Sequence, residues 1–82
     1  MFGTPVDEQA HLALANQHIS AAEVRVARQI SLMQRLTAWG HDTDEAKKFL
    51  LLLESSLKNM RAHRRLILDA ISREKEQRAS HR

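Results

Sequence analysis

Histidine is the residue type in this chain best suited to chemistry, with five copies in 82 residues. His11 and His18 stand seven positions apart, which is two turns of an α-helix and therefore one helix face. If the chain folds back near Gly40, His63 comes close to the level of His18. Three imidazoles held in this way would suit zinc or another transition metal. The supporting motifs are missing: there is no Glu-x-x-His pair and no His-Glu-x-x-His. The plainer reading sets these histidines beside a helix–helix seam or on the surface as ordinary polar groups. A metal-binding bundle through His11, His18 and His63 is therefore the third reading, and no metal or other cofactor is expected.

Other chemistry is weaker still. The absence of Cys excludes a disulfide framework, a thiolate zinc site and a cysteine nucleophile. Serines occur at positions 20, 31, 55, 56, 72 and 80, yet no strand–turn–helix elbow exists to expose one as a nucleophile. Two glycines cannot build a phosphate-cradling loop. No catalytic residues are assigned and a non-enzymatic role is expected. Glu23, Glu54 and Asp69 read instead as surface ion-pair partners for Arg25, Arg28, Lys58, Arg61, Arg65 and Arg73.

Charge offers a second candidate. Residues 1–45 carry three arginines against six acids, whereas residues 46–82 carry four lysines and six arginines against four acids. The halves differ in sign, which favours packing them side by side. Arg61, Arg64, Arg65 and Arg73 form the best candidate surface for nucleic acid or another polyanion. Phe2, Phe49 and Trp39 are the whole aromatic complement, so such binding would be to phosphates, sequence-independent and salt-sensitive. A solvated helix face whose cations lie near the helix C-terminus explains the same residues without a ligand.

The elements that would hold all these residues are helical. Apolar residues make up 43% of the chain and charged ones 28%, with a single Pro and two Gly, a poor composition for turn-rich β structure. Thr4-Pro5 reads as the cap and first position of a helix, with Asp7 and Glu8 in its first turn. Gly40 suits the left-handed residue after a helix end. Asp42 and Glu45 match the spacing of a capping box, with Thr43 as a rival cap. The expected elements are a helix over about 5–38, a turn at 39–43, a helix over about 44–77, and a frayed tail at 78–82. The whole chain, residues 1–82, reads as one hairpin domain.

The apolar positions repeat in steps of three and four. The first series is Leu12, Ala15, Ile19, Ala22, Val26, Gln29, Met33 and Leu36; the second is Ala46, Leu50, Leu53, Leu57, Met60, Arg64, Ile67 and Ile71. One polar residue interrupts each, so both are coiled-coil seams. A turn this short makes the helices adjacent and antiparallel. Paired residue numbers should sum to about 83, setting Ala15 against Ile67, Leu12 against Ile71, Ala22 against Met60 and Val26 against Leu57. Ile19 then faces Arg64, whose aliphatic stem can lie on apolar surface while its head reaches water.

One seam does not use all the apolar residues. Leu14, Ile30 and the run Phe49, Leu50, Leu51, Leu52 and Leu53 girdle the rods in several directions. They are the expected self-association residues of an all-α, antiparallel two-helix coiled-coil hairpin that dimerises into a four-helix bundle. A homodimer is the first expectation for partners, and an unidentified protein covering the same surface is the competitor. The function expected is a small scaffold or regulator acting by protein–protein contact. Polyanion or nucleic-acid binding is the alternative. The longest apolar run, Phe49–Leu53, is far short of the roughly eighteen residues of a membrane span. Without a basic, apolar leader the expected location is the cytoplasm. Trp39, at the tip, is expected to close the bundle end against Phe49 or Ala46, with an anchor for a partner as the other reading.

Several segments resemble a group of small, uncharacterised helical-hairpin proteins common in alphaproteobacteria, rhizobia especially. The likeness lies in Leu12-Ala13, His18-Ile19 and Glu23–Gln29, then in Gly40–Ala46, and finally in Ser56-Leu57, Met60–Arg64 and Ile67-Leu68. It covers roughly residues 10–70, and Gly40-His41-Asp42-Thr43 is its most specific part. The resemblance implies a cytoplasmic helical hairpin with no assigned activity, and it brings no catalytic residue with it.

Overall fold

A computed structural model describes residues 7–80. Two helices account for nearly all of them: α1, Glu8–Ala38, and α2, Asp44–Ser80. They pack against each other along their length as a hairpin, and the molecule measures 66 × 27 × 15 Å. Helices of 31 and 37 residues are about 46 and 55 Å long at ~1.5 Å per residue, so the long dimension is one rod length plus the turn.

Local chemistry fixes each end. Asp7 caps α1: its carboxylate accepts the Ala10 N–H at 3.1 Å, while its carbonyl accepts the first helical bond, from His11, at 3.0 Å. The helix therefore begins three residues later than the expected start at residue 5. Thr4 and Pro5, the expected cap, lie outside the described residues. Asp7 takes the cap because a carboxylate both accepts the free N–H and answers the positive end of the helix dipole.

The other end of α1 is a Schellman turn. His41 N–H donates to the Leu36 carbonyl at 2.9 Å, Gly40 N–H to the Thr37 carbonyl at 3.1 Å, and Gly40 has φ +74°. Nothing lies within 4 Å of where a Cβ on Gly40 would sit, so backbone conformation alone demands glycine there. α2 starts with the Thr43 carbonyl accepting from Lys47 N–H at 2.8 Å. The Asp42 carboxylate accepts the Asp44 N–H at 2.9 Å, an Asx-turn one residue ahead of the cap rather than the reciprocal capping box expected with Glu45. Glu45 instead pairs with Lys48 at 3.5 Å. Residues 78–80 are helical, held by Arg78 donating to Glu74 at 2.6 Å and Ser80 Oγ donating to the Glu76 carbonyl at 2.8 Å.

The seam is the one expected. Ala15, Ile67 and Ile71 pack together with Leu12 against them, and Ile19, Ala22 and Leu57 pack together with Val26 and Met60. Small residues of α1 thus meet large ones of α2, which lets the rods approach without voids. Arg64, half-buried, sits between the two clusters and donates to Asn16 Oδ1 at 3.3 Å. Nearer the turn the packing is thinner. Met33, Leu36, Leu50 and Leu53 are only half-buried. The buried residue at that end is polar: Gln29, whose Nε2 donates across to the Ala46 carbonyl at 3.0 Å. A carbonyl has two lone pairs, so this bond adds to the helix ladder instead of replacing a rung.

Trp39 does not close the end of the hairpin. It is 64% exposed and stands edge-on to the His41 ring, with centroids 6.2 Å apart. The Schellman turn points the chain toward α2 through backbone bonds alone, which leaves the indole on the outside.

Candidate functional site: an uncovered flank

Two rods in contact have two flanks, one on either side of the seam. On α1, Asn16, Glu23, Ile30 and Thr37 follow one line in steps of seven, and His11, His18, Arg25 and Leu32 follow the other. On α2 the corresponding lines are Lys47, Glu54, Arg61 and Leu68, and Phe49, Ser56, His63 and Ala70. Polar bonds bridge the first flank at mid-length, and it is closed in that sense only: Arg61 donates to Glu23 at 2.9 Å, the Arg64–Asn16 contact lies beside it, and Ile30 and Leu68 on the same lines stay 40% and 37% exposed.

The second flank is open and grooved. His11, Leu14, His18 and His63 line a shallow cavity of about 330 Å³, and His18, Ser56, Asn59 and His63 line its neighbour of about 280 Å³. Toward the turn, Leu32, Phe49 and Leu53 floor a third groove of about 330 Å³, rimmed by Arg25, Arg28 and Arg35. No carboxylate lines any of these three grooves. The flank is thus apolar at its base and basic at its edge.

The expected self-association residues divide among these surfaces. Leu50 and Leu53 turn toward the seam and are half-buried. Leu14 and Phe49 border the open grooves, whereas Ile30 lies on the closed side. Leu51 and Leu52 are 64% and 68% exposed. The girdle breaks up because consecutive helix positions are about 100° apart, so a run of five cannot share one surface. Sequence reasoning missed Leu66, 65% exposed and fourteen residues after Leu52, hence on the same line of α2. That spacing was the available signal.

The basic residues are redistributed as well. Of the polyanion candidates, Arg61 pairs with Glu23, Arg64 contacts Asn16, and Arg65 pairs with Asp69 at 3.6 Å. Arg73, twelve residues after Arg61, points about 120° away from it. Arg25 and Arg28, expected in ion pairs, have none among the described residues, and neither does Arg35. Arg61 and Arg65 do pair with the expected acids, whereas Arg25 and Arg28, two and five positions after Glu23, do not share its helix face. His11, His18 and His63 do share a groove, as their spacing implied. Among the described residues, however, no group of three or more His, Asp or Glu side chains is arranged to hold a metal ion.

Among the described residues no helix is long and apolar enough to cross a membrane. No family model, curated protein or solved structure matches the chain. Fold and site together define a helical hairpin with one flank closed by its own polar bonds and one left uncovered.

Proposed function

We propose that this protein is a small, non-enzymatic helical scaffold or regulator that acts by taking up further helices on the hairpin. The observation that supports this reading is the exposure of Phe49, Leu52 and Leu66 on neighbouring lines of α2. Large apolar side chains in such number on one helix mark a surface that another chain covers. The half-buried seam near the turn supports it too, because a third helix there would complete burial that two rods leave unfinished. A second copy forming a two-fold four-helix bundle is the homomeric form of the assembly, and a helix of another protein is the heteromeric form.

Photo-crosslinking in the native cell tests the proposal. A photoreactive residue replacing Leu52 or Phe49 is expected to give discrete adducts, with this chain or another, that are absent when the same residue replaces the exposed Ser72. Adducts of equal pattern from all three positions, or none from any, would overturn it.

A further inference from the structure

We infer that the turn-proximal groove of the open flank is a docking site for an acidic amphipathic helix of a partner protein. The inference rests on the docking reading above and names the occupant. Leu32, Phe49 and Leu53 supply an apolar floor about one turn long, and Arg25, Arg28 and Arg35 stand along its α1 edge. Steps of three and seven keep these arginines on one side of α1. Each is exposed, and none has a salt bridge to a described residue. This is also the stretch where the hairpin buries no apolar residue of its own.

Charge selects among possible occupants. Covering the floor strips water from the guanidinium groups, and a desolvated charge without a partner is strongly unfavourable. A purely apolar helix would leave all three unpaired. A second copy laid flank to flank would bring further arginine, or the histidines of the other end, and no carboxylate from any of the three grooves. A helix with leucine-like residues facing the floor, and Asp or Glu flanking them, satisfies both. Arg–carboxylate pairs are bidentate and directional, so they would also fix its register.

Selection from a displayed library of helical peptides tests this with the intact chain as bait. The peptides are about five turns long, with apolar seam positions fixed and flanking positions randomised. Asp and Glu are expected to be enriched at the flanks. The selected peptide should bind the Arg28→Glu/Arg35→Glu variant at least about tenfold more weakly, as expected when a charge pair at an interface is reversed. Both arginines are exposed, and an unchanged circular-dichroism melt would confirm that the variant folds. Lysine exchanged for Glu in the peptide should restore binding to that variant. Three results would each overturn the inference: no enrichment of acids; equal binding to wild type and variant; or self-association that disappears in the same variant, which would make a second copy the occupant. If the library yields no acidic helix while the Leu52 photoprobe still forms its adducts, this occupant is wrong and the docking reading stands.

Discussion

The two flanks of the hairpin are built from the same helices at the same heptad spacing, yet only one is closed. Glu23 and Arg61 meet across the seam at 2.9 Å on one side. On the other side, the corresponding lines bring His18 and His63 to one groove, and Arg25 and Phe49 to another. Neither combination makes an ion pair. The seam and the turn already set the register of the hairpin, so neither edge needs matched groups to do so. The open edge is free to carry side chains that serve an outside partner. Exposed ion pairs are weak, so bridging one flank does little for stability.

The largest test of the comparison contrasts the seam with the open side. Leu57 is 6% exposed and Leu52 is 68% exposed, five residues apart. Leu57→Ala should lower unfolding free energy by about 2–4 kcal/mol in urea titration. Leu52→Ala should change it by less than about 0.5 kcal/mol. Similar losses at both positions would mean that Leu52 is already covered in solution. Next in size is Gly40→Ala. It forces a side chain into a left-handed backbone at a cost of about 1–2 kcal/mol, with no clash to add to it. A larger loss of stability in the same titration would show that the turn also governs how the flanks align.

Gln29→Ala removes the side-chain bond to the Ala46 carbonyl and should cost about 1 kcal/mol. Its signature should be faster hydrogen exchange at the first turn of α2, with the Ile67–Ile71 end unchanged. The smallest effect belongs to the closed flank. Arg61→Met should cost only tenths of a kcal/mol, fading at high salt, because both members of the pair are half-exposed. A loss above about 1 kcal/mol in the same urea titration would show that this pair does more than an exposed one does.

Much of the architecture was legible. The three-four spacing identified both seams, Gly40 marked the bend, and the sum rule put Ala15 with Ile67 and Ala22 with Met60. Helix ends were less legible. Asp42 and Thr43 are both competent caps by residue type, and the backbone of the turn gives the cap to Thr43 and an Asx-turn to Asp42. The site was legible only in its ingredients. Phe49 and Leu52 stood out as apolar residues off the seam, but their separation from Ile30 did not. Arg25 and Arg28 looked like partners for nearby acids, as did Arg61 and Arg65; only the last two pair as expected, Arg61 with Glu23, 38 positions away, and Arg65 with Asp69.

The sequence by itself determined two amphipathic rods, a bend between them and their antiparallel register, because caps, glycine conformation and heptad periodicity act over a few residues along the chain. Only the tertiary structure decided which flank is bridged, which arginines have no ion pair among the described residues and which leucines face water. Those outcomes depend on what the opposite helix presents at each level, and no single stretch of chain contains both sides of that contact.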